Sequence, residues 1–144
     1  KIAPRSAEVI GSVGVAGVLS GSITIFLDME LAKTVTANML MMDPGEIEGD
    51  EEIVDAIGET ANMIAGNIKT HLFDKVPLFD IATPSVTIGR DVRRTTIANR
   101  FGMIAPFLHE GREFHVEFLL VERESTGEKG VSLNILTQEQ APAE

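Results

Sequence analysis

The chain has 144 residues, 44% of them hydrophobic and 24% charged, and this length favours one domain, spanning residues 1–144, around a single buried core. A net charge of −10 makes nucleic acids and anionic membranes unfavourable partners, because both carry dense negative charge. The chain has no cysteine and no apolar run long enough to span a membrane, so we expect a soluble, cytoplasmic protein.

The first segment of the chain has the composition of a β-hairpin. Residues 9–19 and 23–27 are rich in β-branched and apolar side chains, and residues 20–22, Ser-Gly-Ser, have the composition of a turn. Three glycines also recur at every third residue of the first strand: Gly11, Gly14 and Gly17. This spacing is neither the dinucleotide-binding nor the phosphate-binding loop pattern, so nucleotide binding is not predicted.

A first helix is predicted from about residue 30 to residue 41. Asp28 precedes it and is a residue type that caps helix N-termini. The apolar residues at helical spacing are Leu31, Val35, Met39 and Met42. We expect this methionine-rich stripe to pack in the core, where flexible thioether side chains fill gaps, and not to bind a cofactor.

An acidic segment, residues 43–52, interrupts the chain with Pro44 and two glycines and then begins the second helix. Carboxylates are favourable there because they face the positive end of the helix dipole. Their positions miss the alternate ligand spacing of an EF-hand loop, and no Glu falls at its twelfth position. A calcium site is therefore not predicted.

The second helix, predicted from about residue 51 to residue 72, separates into two faces at about 100° per residue. One face is an apolar stripe formed by Ile53, Ile57, Ala61, Ile64 and Ile68. The opposite face carries Asp55, Glu59, Asn62 and Gly66. The first face is therefore expected to join the core, and the second is a candidate working surface.

Three residues on or beside the polar face are unfavourable in a helix interior. The Asn62 amide competes for backbone groups, and Gly58 and Gly66 each cost about 1 kcal/mol relative to alanine. Small residues lower the helix surface, so another backbone or a partner's loop can approach Glu59 and Asn62 closely. The alternative is a solvated face whose glycines pack against a neighbouring element.

Beyond Pro77 the pattern changes to the alternation of β-strands. The predicted features are strands at residues 85–90, 95–106, 113–122 and 131–136, a hairpin turn at 125–130 and a frayed tail at 138–144. The order β-β-α-α-β-β-β-β predicts an α+β fold with about six strands, which form antiparallel meanders after the helices.

Other candidate sites are weaker. A basic cluster contains Arg90, Arg93, Arg94 and Arg100. We interpret it as protection of a sheet edge, with a binding patch as the alternative. The histidines are His71, His109 and His115, and none has a partner at metal-ligand spacing. No Gly-x-Ser-x-Gly segment marks a nucleophile, so neither a metal centre nor covalent catalysis is predicted.

The polar face of the second helix carries a family signature. Asp55, Glu59 and Asn62 match the motif acid-x-x-x-Glu-x-x-Asn. The segments 55–67 (DAIGETANMIAGN) and 82–89 (ATPSVTIG) resemble the CheC/CheX/FliY phosphatases of bacterial chemotaxis, and are closest to the CheX members.

CheC-like members of that family carry the signature on both long helices. Here the first helix lacks it, because Leu31 and Val35 occupy the two acidic positions before Asn38. A single copy on the second helix is the CheX pattern. The resemblance implies a mostly antiparallel sheet with two long helices packed on it, often assembled as a homodimer.

The resemblance also implies an activity, which is hydrolysis of the aspartyl phosphate on a CheY-like receiver domain. Asn62 and Glu59 would be the catalytic pair: Asn62 orients the attacking water, and Glu59 binds the receiver's active-site lysine. Asp55, Gly58 and Gly66 would complete the partner-binding surface with Glu59. The receiver supplies its own Mg²⁺, so the resemblance implies no cofactor or metal held by this chain.

Two other functions are compatible with the same face. A non-catalytic docking module of a signalling or flagellar assembly would bind a receiver without hydrolysing its phosphate, and only turnover separates it from a phosphatase. A dimerising structural protein would instead bury Asp55, Glu59 and Asn62 as a polar seam at a two-fold axis.

Overall fold

The computed structural model describes residues 5–73, 79–94 and 101–122 of the chain. These ranges contain six strands and two long helices in the order β1 (Arg5–Gly17), β2 (Leu19–Leu27), α1 (Met29–Leu40), α2 (Asp50–Phe73), β3 (Phe79–Ile81), β4 (Ser85–Arg94), β5 (Phe101–His109) and β6 (Arg112–Glu122). A short 3-10 helix, Pro44–Glu46, lies between α1 and α2. The predicted turn at 125–130, strand at 131–136 and frayed tail at 138–144 lie outside the described residues.

The strands form one antiparallel sheet in the order β3-β1-β2-β6-β5, and β4 also pairs with β1. The predicted α+β class with about six strands is confirmed. The predicted meander is right for β5 and β6, which form a hairpin. It is wrong for β4, because β4 pairs along β1 from Arg5 to Ser12 and not with β5. Sequence alternation shows that a strand exists, whereas its neighbour depends on long-range packing.

The first turn also differs from the prediction. β1 runs to Gly17 and β2 begins at Leu19, so residues 20–22 lie inside β2, between β1 and β6. A Cβ atom placed on Gly21 would lie 1.8 Å from the Leu119 carbonyl oxygen of β6. Gly21 is therefore required for close approach of two strands and not for a turn.

Helix α1 begins at the predicted cap. The Asp28 carboxylate accepts a hydrogen bond from the Leu31 N–H at 2.7 Å, and its second oxygen accepts one from the Arg112 guanidinium at 2.9 Å. The Glu8 carboxylate of β1 accepts a hydrogen bond from the Met29 N–H at 2.6 Å. Two carboxylates thus satisfy N–H groups of the first turn, which joins α1 to β1 and to the β5–β6 hairpin.

The prediction that the methionines of α1 are core residues is wrong for Met39, which is 42% exposed. Met42 is partly buried and packs against the core, as predicted. The fully buried residues of α1 are Leu31, Ala32, Thr36 and Ala37. Met39 lies instead beside α2, where its Sδ atom is 3.3 Å from the Thr60 hydroxyl.

Helix α2 runs from Asp50 to Phe73, one residue beyond the predicted range at each end. Ile53, Ile57 and Ala61 are buried against the sheet, as is Ala65, which the sequence pattern did not single out. Gly11 of β1 lies directly beneath α2, since a Cβ there would approach the Ile57 Cγ2 to 2.9 Å. This close packing fixes the rotation of α2, so its polar face turns away from the sheet.

The arginine cluster lies at an edge within the described ranges. β4 pairs only with β1 there, and Arg93 on β4 forms an ion pair with Asp91 at 3.4 Å. Arg90 is exposed, and Arg100 lies outside the described residues. Neither described helix combines the length and the hydrophobicity needed to cross a bilayer.

Candidate active site on helix α2

The outward face of α2 brings together the residues that carry the signature. Asp55 and Glu59 are exposed, Asn62 is half-buried, and all three lie in the middle of a 24-residue helix. Residues three and four apart on a helix are neighbours on its surface, so Glu59 lies beside both Asp55 and Asn62. The structure places the three side chains on one continuous strip of the protein surface.

Asp55, Glu59 and Asn62 have no side-chain partner among the described residues. Across the ranges 5–73, 79–94 and 101–122, Asp55, Glu59 and Asn62 make no side-chain hydrogen bond or ion pair. Other polar residues of α2 are engaged: Lys69 pairs with Asp80 at 3.3 Å, and the Thr60 hydroxyl donates to the Ala56 carbonyl at 2.8 Å. The carboxylate of Glu59 and the carboxamide of Asn62 are therefore available to an external molecule.

Gly58 has the packing role that the sequence left open as an alternative. It is buried, and a Cβ placed on it would lie 3.6 Å from the Val86 Cγ2 and 3.8 Å from the Pro84 Cγ. Its missing side chain accommodates this chain's own β4 segment. Since a partner does not reach a buried glycine, we leave Gly58 out of the contact surface. The same contact places Pro84 beside α2.

Gly66 is different because no described residue packs against the position of its missing side chain. Beyond the backbone of its own helix, no described atom lies within 4 Å of a Cβ placed there, although glycine costs about 1 kcal/mol relative to alanine in a helix interior. Packing within the described residues therefore does not compensate this cost. The helix surface beside Asn62 is consequently low and open to the backbone of another molecule.

One further residue of this face, Met63, does not stand out in the sequence pattern. Its side chain is 54% exposed and lies next to Asn62 in the chain and four residues after Glu59. The two-face division assigned Met63 to neither side. Its position four residues after Glu59 was the available signal, because it predicts an apolar side chain on the polar face.

The corresponding positions of α1 are not a second site. Leu31 is buried and Val35 packs against the core, while only Asn38 is exposed. A mainly apolar cavity of about 400 Å³ lies beside them, between α1, α2 and the β5–β6 hairpin, where Phe107 and Phe114 stack at 5.2 Å. The absence of a second signature in the sequence thus corresponds to an apolar surface in the structure.

The described residues include no group of three or more His, Asp or Glu side chains arranged to hold a metal. His115 lies 2.5 Å from the Glu113 carboxylate, and the His71 ring lies 2.8 Å from the Asn67 carbonyl oxygen. Each of these histidines is engaged by a neighbour in its own element. The chemistry of the α2 face therefore consists of carboxylates, a carboxamide, the Met63 thioether and open backbone surface.

A family model for the chemotaxis phosphatase CheX matches residues 9–108, which is more than half of the chain. The chain belongs to the CheX family. The matched range includes all of α1 and α2, and with them Asp55, Glu59 and Asn62. The family recognised from the signature is confirmed.

Three relatives illustrate the match. The CheY-P phosphatase CheX of Thermotoga maritima is 35% identical over 82 residues, 56% of this chain and 52% of that protein, so the match spans about half of that relative's length. The chemotaxis protein CheX from Desulfovibrio desulfuricans superposes with a TM-score of 0.74 and 30% identity, covering 84% of this chain and 79% of its own. The CheX-CheY-BeF3-Mg²⁺ complex from Borrelia burgdorferi gives a TM-score of 0.66 and 31% identity, covering 78% and 75%.

Proposed function

We propose that the chain hydrolyses the aspartyl phosphate of a CheY-like receiver domain in the cytoplasm. The observation that carries this proposal is the outward pair on α2, Glu59 and Asn62, one turn apart and unengaged in the described part of the chain. Two family members support the choice of substrate. The relative from Thermotoga maritima is a CheY-P phosphatase, and the one from Borrelia burgdorferi is in complex with CheY, BeF3 and Mg²⁺.

The proposed reaction requires few groups from this chain. Water attacks the phosphorus atom, the bond between phosphorus and the aspartyl oxygen breaks, and inorganic phosphate and the free aspartate are released. An acyl phosphate is already reactive, so the main remaining requirement is to place one water in line with the leaving carboxylate. The receiver contributes the Mg²⁺ that neutralises charge on the phosphoryl oxygens.

Asn62 suits the positioning of that water. A carboxamide has an acceptor oxygen and a donor NH₂ group, so a single side chain can hold a water molecule and fix its orientation. Neither group of Asn62 is used within the described residues. The half-buried position of Asn62 limits the motion of its side chain, which favours a fixed geometry in the complex.

Glu59 and Asp55 are proposed to bind the receiver. Both carboxylates are exposed, and Glu59 is one turn before Asn62, where it can pair with the lysine of the receiver's active site. An ion pair at this position would hold the two surfaces in register while Asn62 reaches the phosphoryl group. We propose in addition that the chain forms a homodimer with the α2 face left free, since the reaction requires that face to be accessible.

Glu59→Ala is expected to raise the KM for the phosphorylated receiver by roughly 5- to 30-fold, the loss of about 1–2 kcal/mol for a charge pair at an interface. The kcat should fall less, because Asn62 is still present. Glu51→Ala, which removes an equal charge from an exposed position two turns nearer the start of α2, is the matched control and should keep the parent's KM. Equal KM values for both variants and the parent would contradict the role of Glu59.

Gly66→Ala is expected to stabilise the isolated chain and to weaken the complex. Alanine should add about 0.5–1 kcal/mol to the free energy of unfolding, because the added methyl group clashes with none of the described residues. The same methyl group would meet the receiver, and overpacking by 1–3 kcal/mol corresponds to roughly 5- to 150-fold weaker binding.

Gly58→Ala is the matched control for this prediction. It should also stabilise the helix, since its methyl group reaches Pro84 and Val86 at ordinary contact distances, but it should leave binding unchanged. Urea unfolding and titration with a phosphorylated receiver measure the two quantities. Unchanged binding by Gly66→Ala would show that the receiver does not contact Gly66.

The direct test of the function is the decay of phosphorylated receivers. The host's receivers are phosphorylated with a small acyl phosphate donor, the donor is removed, and phosphate release is followed with and without the chain. Accelerated release supports the phosphatase, whereas binding without acceleration identifies the docking module. If the chain were instead a dimerising structural protein that buries Asp55, Glu59 and Asn62 between two copies, neither binding nor turnover would be observed.

A further inference from the structure

Two exposed methionines lie beside the proposed site. Met63 on α2 is 54% exposed, and Met39 near the end of α1 is 42% exposed. The Sδ atom of Met39 lies 3.3 Å from the Thr60 hydroxyl, which places Met39 against α2 one turn before Met63. The two methionines therefore lie on either side of Thr60, and we refer to them together as the Met39–Met63 patch.

The patch adjoins the polar face of α2, which carries the proposed catalytic residues. Met63 is four residues after Glu59 and three before Gly66, so its side chain lies beside both on the helix surface. Glu59, Asn62 and Gly66 border it on one side, and the exposed Asn67 lies on the other. An apolar centre with a polar border is typical of the energetically important part of a protein–protein contact.

Resting on the function proposed above, we infer that Met63, with Met39 beside it, is the apolar anchor that binds the receiver next to its phosphorylated aspartate. The chemistry of the patch suits this role, because an unbranched thioether adapts to an apolar surface without fixed geometry. The carboxylates supply charge pairing and Asn62 supplies the chemistry, but neither supplies apolar contact area. Met63 supplies this area from the border of the polar face, beside Glu59 and Gly66.

The position of the patch favours a receiver over a second copy of this chain. A copy seated on Met63 would also cover Glu59 and Asn62, because they are its neighbours on α2. The side chains of these two residues are unengaged in the described part of the chain and need access to a partner. A single receiver that contacts Met63, Glu59 and Asn62 at once would cover the apolar side chain and also supply partners for the two polar ones.

The test is a steady-state comparison of receiver dephosphorylation by four proteins: the parent, Met63→Ser, Met63→Leu and Met103→Ser. We expect Met63→Ser to raise the KM by roughly 4- to 13-fold, in line with burial of about half of a methionine side chain, and to leave kcat unchanged at saturating receiver. Met63→Leu keeps the apolar volume and should restore the parent's KM.

Met103→Ser is the matched control, since Met103 is 57% exposed and lies on β5, outside the two helices that carry the patch. Its KM should equal that of the parent. Thermal unfolding of all four proteins establishes that each is folded.

The outcomes separate this inference from the function on which it rests. A raised KM for Met63→Ser alone supports the anchor. An active parent whose KM is insensitive to Met63→Ser, or a Met63→Ser protein that loses kcat instead, overturns the anchor and leaves the phosphatase standing. A parent that accelerates no receiver's decay overturns the proposed function itself.

Discussion

Asn62→Ala is expected to lower the kcat for receiver dephosphorylation by roughly 10²–10³, the loss observed when one preorganised polar group is removed from an active site. Affinity for the phosphorylated receiver should stay within about threefold of the parent's, because Glu59 and the remaining contact surface are intact. The physical reason is that alanine offers the attacking water neither a donor nor an acceptor. Single-turnover decay of the phosphorylated receiver measures the chemical step, and titration measures affinity.

Asn67→Ala is the control for this result. Asn67 is an exposed asparagine of the same helix, five residues further on, and its replacement changes helix propensity by the same amount. It should keep the parent's kcat. Asn62→Asp separates shape from chemistry, since aspartate has nearly the same size but no NH₂ donor and carries a charge that repels the phosphoryl group. An Asn62→Ala protein that dephosphorylates receivers at the parent's rate would remove the catalytic assignment.

Gly21→Ala is expected to produce the largest loss of stability, at least about 3 kcal/mol in the free energy of unfolding. A Cβ at this position would lie 1.8 Å from the Leu119 carbonyl oxygen and 2.8 Å from its carbonyl carbon. Both atoms are backbone, so no side-chain rotation relieves the overlap. β2 and β6 would have to separate where they are hydrogen bonded, next to the buried side chains of Leu119 and Leu120.

Gly14→Ala provides the comparison on the neighbouring strand. A Cβ there would lie 3.6 Å from the Ala82 Cβ, an ordinary contact, so its unfolding free energy should stay within about 1 kcal/mol of the parent's. Urea titrations of both variants, followed by circular dichroism, give the two midpoints. Parent-like stability of Gly21→Ala would mean that β2 and β6 are not as closely paired as the structure shows.

The polar face of α2, the candidate site, is the part of this protein that its sequence determined most completely. The apolar stripe from Ile53 to Ile68 forces α2 to bury one side, and the period of the helix then leaves Asp55, Glu59 and Asn62 on the other. The cap at Asp28 and the bounds of both helices follow from equally local rules. These features were predictable because each depends on residues within a few turns of one another.

Tertiary structure decided the features that depend on distant partners. Gly21 has to be a glycine because the carbonyl group of Leu119, about 100 residues later in the chain, occupies the place of a side chain. Gly58 packs against two distant residues, Pro84 and Val86. The three-residue β3 was missed because so short a strand has no alternation to detect, and it forms through its pairing with β1.

The same distinction applies within the site. Periodicity predicted that Glu59 and Asn62 face outward, but only the structure shows that neither side chain is engaged elsewhere in its described part and that Gly66 is open while Gly58 is covered. The exposure of Met39, expected in the core, likewise depends on tertiary packing, which places its sulfur beside the Thr60 hydroxyl of α2. A sequence determines local periodicity directly, whereas contacts between segments far apart in the chain are determined only when the complete core folds.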